Sequence, residues 1–325
     1  MSLELDYVEF IEIVDSLLTK RNYIHEIENK RGSTVLVYVS NMTMGYPEVP
    51  TIYNRLREIG HVDKLDLFLV SFGGDIDTAF KIVSLCRQHC NHFSVIVPFL
   101  AKSAATLLSL GADEVVMGPI SELGPIDPQI RHPENGIWGP AQALRDFLRF
   151  VENRVSSSKD PALTANLLMP IIEKLDPWVL GNFERSNLVA IQYAEKLLSQ
   201  YMLRSETPDK IKDITKKLTE GYYSHGYGID VNESKDIGLK VTEPETELWD
   251  VIWSLYSYYH KEVILDDDQH CLIETGTKVE AMLDDFGVDS TVVSIEDFFR
   301  EVASGLDNDG SSTKENESSN GEIDE

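Results

Sequence analysis

The sequence of 325 residues predicts an α/β protein built on a mainly parallel sheet. The prediction depends first on the stretch from Leu65 to Ile130, where short apolar runs (LDLFLV, FSVIV, EVVMG) alternate with amphipathic stretches. Strands that alternate with helices are typical of parallel strands joined by crossover helices. It depends second on two turns at strand ends, because open α/β sheets place their chemistry where the carboxyl ends of strands meet.

The first third of the chain can be assigned element by element. Residues 1–32 carry apolar side chains at helical spacing and predict an amphipathic helix. TVLVYVSNM, at 34–42, predicts the first buried strand, and Pro47 to Gly60 predicts a helix that begins at proline and ends at glycine. The central stretch then predicts strand, glycine turn, helix, strand, serine-bearing turn, helix and strand.

The rest of the chain is predicted to be mostly helical, with a long helical segment interrupted at Pro170 and Pro177. Residues 243–263 predict a last amphipathic helix, residues 264–303 a small acidic appendage, and residues 304–325 an acidic tail without apolar residues for a core, which is expected to be disordered. The chain is thus predicted to comprise an amino-terminal helix (1–32), a main hydrolase domain (33–242), a helix with a small appendage (243–303) and a tail (304–325).

Composition excludes several classes of protein. A net charge of −26 is unsuited to nucleic-acid binding, which requires basic surface. The amino terminus has no basic region followed by an apolar run, so no signal peptide is expected, and no apolar stretch is long enough to predict a transmembrane helix. Three cysteines form no disulfide framework, which favours a reducing cytoplasm.

Two turns carry the candidate chemistry. Ser103 follows an apolar strand and begins a helix of small residues, where Ala104 has an amide N–H free to donate. Gly73 and Gly74 follow the preceding strand, and glycine lets the backbone approach a ligand closely. A serine beside such donors predicts acyl transfer through an oxyanion hole. Each feature alone has an ordinary structural alternative, an N-cap for the serine and a turn for the glycines.

The motifs SFGGDIDTAFKI and AKSAATLLSLGADEVVMGPISELGPIDPQ resemble the Clp protease/crotonase superfamily, and within it signal peptide peptidase A and the serine dehydrogenase proteinase family. The resemblance is good over residues 34–131 and weaker to about residue 242. It implies repeated β-β-α or β-α units, Ser103 as nucleophile, and Gly73 and Gly74 in the oxyanion hole. It also implies a peptide or protein substrate, a homo-oligomer, and no cofactor or metal.

The resemblance gives Lys159 as first choice of general base, because KDP before a helix matches the region that carries the catalytic lysine of signal peptide peptidase A. A Ser-Lys pair requires a lysine that burial keeps neutral. Lys102 is the second choice, although adjacent residues on a helix face different ways. Lys174 is the third, and a lysine from another subunit stays open.

A Ser-His-Asp arrangement is the alternative to this dyad. The Clp protease histidine would fall near Asp127, where this sequence has no histidine before His132. Asp127 is a candidate carboxylate facing the crevice, and its structural alternative is to cap a turn. His225 lies in a phrase, SHGYGID, that resembles the serine dehydrogenase proteinase family, in which the histidine lines the cleft or orders a strand end; we favour the structural role.

The sequence therefore predicts a serine peptidase that cleaves amide bonds through Ser103 and Lys159. One alternative is a crotonase-like acyl-CoA enzyme with the same oxyanion hole, which would need a basic pocket for the CoA phosphates; no such cluster adjoins Gly73. The other alternative is a catalytically inactive scaffold, which the absence of any base near Ser103 would favour.

Overall fold

The computed structural model describes residues 7–131, 138–140, 142–174, 177–265, 270–289 and 291–300. The predicted tail at 304–325 and His132 lie outside these ranges. The strands are β1 (Thr34–Ser40), β2 (Val62–Ser71), β3 (Cys90–Val97), β4 (Leu100–Ala101), β5 (Glu114–Met117), β6 (Glu122–Leu123), β7 (Gln129–Arg131), β8 (Trp138–Pro140), β9 (Val241–Thr242) and β10 (Cys271–Thr275). The helices are α1 (Tyr7–Arg31), α2 (Glu48–Ile59), α3 (Ile76–Gln88), α4 (Ala104–Leu110), α5 (Gln142–Ser156), α6 (Pro161–Ile172), α7 (Pro177–Gln200), α8 (Pro208–Glu220), α9 (Val231–Ile237), α10 (Thr246–Tyr259), a π-helical turn (His260–Ile264) and α11 (Gly276–Asp285).

The larger compact unit, Ile27–Thr275, contains the sheet. The order of its main path is β10-β1-β2-β3-β5-β9, and β4 and β6 pair beside β2. Every pairing in this sheet is parallel except that of β10 with β1. The predicted α/β fold with a mainly parallel sheet is therefore confirmed.

The core of this unit explains why these segments fold as they do. Strands buried on both faces read as continuous apolar runs, and β1 and β2 are buried along most of their length. The buried faces of α2, α3 and α4 pack on the sheet, with side chains such as Ile52, Ile82 and Leu108 fully excluded from solvent. Asp75 accepts a hydrogen bond from the Thr78 amide and so begins α3 at a fixed point.

The smaller unit consists of the described residues of Met1–Glu26 and Gly276–Glu325. The ring of Phe10 meets that of Phe286 edge to face at 5.6 Å between centroids. Arg21 donates a buried hydrogen bond to the carbonyl of Val292, and the Asn22 side chain donates to Val293 at 2.9 Å. The apolar side chains of the predicted amphipathic helix therefore pack in the core of this smaller unit.

Two elements differ from the sequence-based expectation. β10 pairs with β1 within the sheet, whereas its residues were predicted to lie in an acidic appendage. Pro170 lies inside the last turn of α6 instead of interrupting it, and the helix ends two residues later at Ile172. No helix among the described residues is both long and apolar enough to span a bilayer.

An ion-pair cluster connects β2, β5 and β9. Arg31 bonds Asp66 on β2 and, at 3.0 Å, Glu114 on β5. Thr242 donates to the other Glu114 oxygen at 2.7 Å. Burial opposes ionisation of Glu114, but the bonds from Thr242 and Arg31 outweigh it and hold the pKa of this carboxyl below its usual range.

We expect Glu114→Gln to reduce the amount of unfolding free energy that the protein loses as the pH falls. Because the folded pKa of Glu114 is depressed, its contribution is complete above the unfolded pKa of about 4.3 and is lost as pH falls through the lower folded value. Urea midpoints measured from neutral pH to about pH 3 test this. Glu58→Gln, in an exposed pair with Arg55, is the matched control. An acid slope equal to that of the unchanged protein would contradict the prediction.

Candidate active site

The segments that follow β2, β4 and β6 meet the segment that carries His225 at the carboxyl ends of the parallel strands. Ser71 at the end of β2 is in register with Ala101 on β4, and Ala101 is in register with Leu123 on β6. The segments that leave these strands therefore emerge side by side. They line a cavity of about 810 Å³, and the lining contains most of the predicted site: Gly73, Gly74, Ser103, Ala104, Asp127 and His225.

Ser103 has a backbone conformation that sets it apart from its neighbours. Its φ of +51° and ψ of −115° make it the only non-glycine residue with positive φ in the described part of the chain. Such a conformation is costly for an L-residue and is typical of functional sites. The Ser103 hydroxyl makes no capping bond to α4, so the N-cap alternative does not apply. Ser103 lines the cavity from this turn between strand and helix, an arrangement similar to a nucleophile elbow.

The glycine turn is held against the serine turn. Met44 donates to the carbonyl of Gly73 at 2.8 Å, and Asp75 donates to the carbonyl of Met44 at 2.8 Å. At Gly73, with φ of +94°, an added Cβ would lie 2.8 Å from the Ser103 Cβ and 3.0 Å from the Ala104 nitrogen. Only glycine permits this approach.

Three amide groups were predicted to surround an oxyanion, and they differ in their hydrogen bonds. The Gly73 N–H donates to the Ser71 hydroxyl at 3.1 Å and is therefore already used. Among the described residues, nothing accepts a hydrogen bond from the N–H of Gly74 or of Ala104. These two amides are the donors left for a ligand in the cavity.

Asp127 and His225 form a pair in the same cavity. The Asp127 carboxylate is only 4% exposed and lies 2.7 Å from Nδ1 of His225. Its second oxygen accepts a bond from the Gln129 side chain at 3.3 Å. A histidine that donates from Nδ1 to a carboxylate has Nε2 free as an acceptor. The pair thus presents a basic nitrogen in the cavity that contains Ser103.

The segment that carries His225 is attached to the strand that leads to Asp127. Leu123 and Ile229 exchange two backbone hydrogen bonds, at 2.9 and 3.0 Å. The chain therefore leaves β6 towards Asp127 beside the segment that presents His225. His225 therefore lines the cavity together with Asp127, and its role stays a prediction.

The three candidate lysines differ in their solvent exposure and in their contacts. Lys159 is exposed in the connection between α5 and α6, and Lys174 is exposed just after α6. Lys102 is buried, but its ammonium contacts Glu122 at 2.8 Å and donates to two carbonyl groups. Within the described ranges no lysine lines the cavity. The structure thus brings Ser103 together with His225 and Asp127, and not with Lys159.

One face of α7 completes the cavity, and the sequence analysis missed it. Asn182, Arg185, Ser186 and Val189 line the cavity at i, i+3, i+4 and i+7 spacing. This periodicity is visible in the sequence, but nothing local tells which partner the face meets.

A metal site is not indicated, because the described residues contain no group of three or more His, Cys, Asp or Glu placed to hold an ion.

Part of the chain matches a known protein family. Residues 8–139 match the family of ClpP-like SDH-type serine proteinases. The predicted resemblance to the serine dehydrogenase proteinases of the Clp superfamily is confirmed. The matched part includes Gly73, Gly74, Ser103 and Asp127, whereas His225 lies beyond it.

Two relatives come from Methanocaldococcus jannaschii. The uncharacterised protein MJ0137 is 28% identical over 258 residues, which are 76% of this chain and 80% of the relative. The uncharacterised protein MJ1495 is 27% identical over 237 residues, 69% of this chain and 72% of the relative.

Similar solved structures include a mutant of the 1510-N membrane-bound stomatin-specific protease, with 13% identity and a TM-score of 0.39 over 66% of this chain and 82% of that chain. The catalytic domain of ClpP protease from Plasmodium falciparum has 12% identity and a TM-score of 0.35 over 76% of this chain and 96% of that chain.

Proposed function

We propose that this protein is a serine peptidase in which Ser103 is the nucleophile, His225 the general base and Asp127 the residue that orients the histidine. The observation that carries the proposal is one cavity lined by a serine with positive φ, by the buried Asp127 and by the partly exposed His225 that bonds it. These side chains supply the nucleophile, the base and the orienting carboxylate of a Ser-His-Asp triad.

The reaction follows from the roles of these groups. Nε2 of His225 takes the proton of the Ser103 hydroxyl as the oxygen attacks the substrate carbonyl, which gives a tetrahedral oxyanion. The free N–H groups of Gly74 and Ala104 donate to that oxyanion. The imidazolium then gives its proton to the leaving amine, the C–N bond breaks, and an acyl-enzyme remains. Water, deprotonated by His225, hydrolyses the ester and restores the serine.

His225 takes the place of Lys159 in this proposal for a physical reason. An exposed lysine stays protonated at neutral pH and cannot accept a proton, because only burial without a counter-charge favours the neutral amine. Lys159 is exposed, and the ammonium of Lys102 has Glu122 beside it. The imidazole of His225 lines the cavity and no described lysine does, which supports His225 as the base.

The proposed donors of the oxyanion hole also differ from those predicted from the sequence. We assign the donors to Gly74 and Ala104, because the Gly73 amide is bonded to Ser71. Gly73 contributes by having no side chain where the two turns touch. A peptide or protein substrate, a homo-oligomeric state and a cytoplasmic location are parts of the proposal. The family resemblance supports the first two, and the lack of a disulfide among the three cysteines, all of which the structure describes, supports the third.

A fluorophosphonate probe tests the proposal. We expect one covalent adduct per chain, located by peptide mass spectrometry on Ser103, and no adduct on the Ser103→Ala variant. Ser186→Ala is the matched control, because Ser186 lines the same cavity but lies within α7 and not at the turn with positive φ, and it should be labelled like the unchanged protein. A protein that is not labelled, or labelling that survives Ser103→Ala, would refute the peptidase and favour the acyl-CoA enzyme or the scaffold.

A further inference from the structure

We propose that Lys102, which the peptidase mechanism does not use, is a positioning residue that fixes His225 relative to Ser103. The inference builds on the proposed function. It concerns the histidine loop, defined as residues 222–229, and the way this loop is joined to the serine turn.

The backbone of Lys102 is fixed within the nucleophile segment. Its N–H donates to the carbonyl of Ser71 at 3.0 Å, and its carbonyl accepts from Ala105 at 2.9 Å. A Cβ on Gly73 would lie only 2.5 Å from the Lys102 carbonyl oxygen, so the glycine turn packs directly on this peptide. The position of the Lys102 backbone is thus tied to that of Ser103.

The side chain of Lys102 reaches the histidine loop. Its ammonium donates to the carbonyl of Tyr227 at 3.2 Å and to the carbonyl of Leu123 at 3.1 Å, and it pairs with Glu122 at 2.8 Å. An ammonium has three N–H donors, and these three acceptors use all of them. One side chain therefore connects the serine turn, the strand that leads to Asp127, and a carbonyl two residues after His225.

Two glycines make room for this contact. A Cβ at Gly124 would lie 2.8 Å from Cδ of Lys102. A Cβ at Gly228 would lie 2.1 Å from the Glu122 carboxylate and 3.7 Å from the Lys102 ammonium. The loop and the turn approach the lysine as closely as they do because neither glycine carries a side chain.

The far side of the loop is held independently of Lys102. The rings of Tyr222 and Tyr227 stack at 4.7 Å, and their hydroxyls donate to the two oxygens of Glu233 at 2.8 and 3.0 Å. The bridge between Leu123 and Ile229 anchors the end of the loop. Loss of the Lys102 contact should therefore change the position of His225 without unfolding the sheet.

The test compares Lys102→Met with Lys64→Met, whose ammonium donates to the Arg31 carbonyl at the opposite end of β2. We expect Lys102→Met to lower kcat for a peptide substrate about 100-fold with little change in KM, because a shift of about 1 Å in a catalytic group has an effect of that size. Lys64→Met should keep both constants. The double variant Lys102→Met, Glu122→Gln removes the carboxylate that the single variant leaves without its counter-ion, and guards against a failure to fold.

A second readout does not depend on hydrolysis. In protein labelled with ¹⁵N-histidine, the Nδ1–H resonance of His225, assigned by its loss in His225→Gln, should broaden or disappear in Lys102→Met and persist in Lys64→Met. Retention of that resonance, or of kcat within about twofold, in folded Lys102→Met or in the double variant overturns the proposal. If instead Ser103→Ala retains hydrolysis, the peptidase proposal fails, and the resonance still tests whether Lys102 positions the histidine.

Discussion

Replacement of either Ser103 by alanine or His225 by glutamine is expected to reduce kcat for peptide hydrolysis by about 10⁴- to 10⁶-fold. Both side chains share one cavity, and the imidazole is held by Asp127. A serine hydroxyl is a weak nucleophile without a base, and a base has no role without the hydroxyl. The two residues should therefore act as one unit, and the double variant should be no slower than the worse of the single variants.

The measurement is kcat for all three variants with one peptide substrate, together with a thermal melt of each protein. Lys159→Met is the matched control, because it removes the base predicted from the sequence, and it should retain the full rate. Losses that multiply in the double variant would show that the two side chains act in separate steps. A large loss in Lys159→Met would restore the Ser-Lys dyad and assign His225 a structural role.

The serine side of the site could be predicted because its signal is local. Ser103, Gly73 and Gly74 each follow directly after an apolar strand, and parallel strands end at one edge of a sheet. The register that joins β2, β4 and β6 then brings these turns together. The positive φ of Ser103 could not be predicted, because no pattern of residue types in the sequence indicates it.

The histidine could not be placed with equal success because its partners are distant in the sequence. His225 and Asp127 are 98 residues apart, and the backbone bridge between Leu123 and Ile229 brings their segments side by side. Nothing in the local pattern of either segment predicts that bridge. Lys159 lies in a motif that resembles a catalytic one, yet solvent exposure is decided by how α5 and α6 pack, which the motif does not specify.

Separation along the sequence also explains why the edge strand β10 was not predicted. β10 has five residues, and a run that short gives almost no periodic signal. Its partner β1 lies more than 200 positions earlier in the chain. The acidic composition around β10 predicted an appendage, whereas pairing with an otherwise open edge of the sheet decides its structure.

Gly73→Ala is the second variant with a large expected effect, and Gly60→Ala is its matched control. Both glycines have positive φ, +94° and +75°, so alanine is strained at either position. At Gly60 an added Cβ meets nothing within 4 Å, so the cost there should be only the conformational strain, about 1–3 kcal/mol. At Gly73 the Cβ would lie 2.5 Å from the carbonyl oxygen of Lys102 and 3.0 Å from the amide of Ala104.

These contacts at Gly73 are with backbone atoms, which cannot move aside as the end of a flexible side chain can. Relief of the clash must separate the glycine turn from the serine turn, and this separates the free amides of Gly74 and Ala104 that we assign to the oxyanion hole. Loss of one such donor typically reduces kcat by about 10²- to 10³-fold. We therefore expect Gly73→Ala to lower kcat by at least this factor and to melt below Gly60→Ala.

Kinetics and thermal melts of the two glycine variants decide between an effect on the site and a general loss of stability. Gly60→Ala should keep the kcat of the unchanged protein below its melting transition, because Gly60 ends α2 before β2 begins, away from the strand ends that form the cavity. Equal kcat in both variants would mean that the oxyanion donors do not depend on contact between the two turns. Equal melting temperatures would mean that the backbone at Gly73 yields more easily than its contacts indicate.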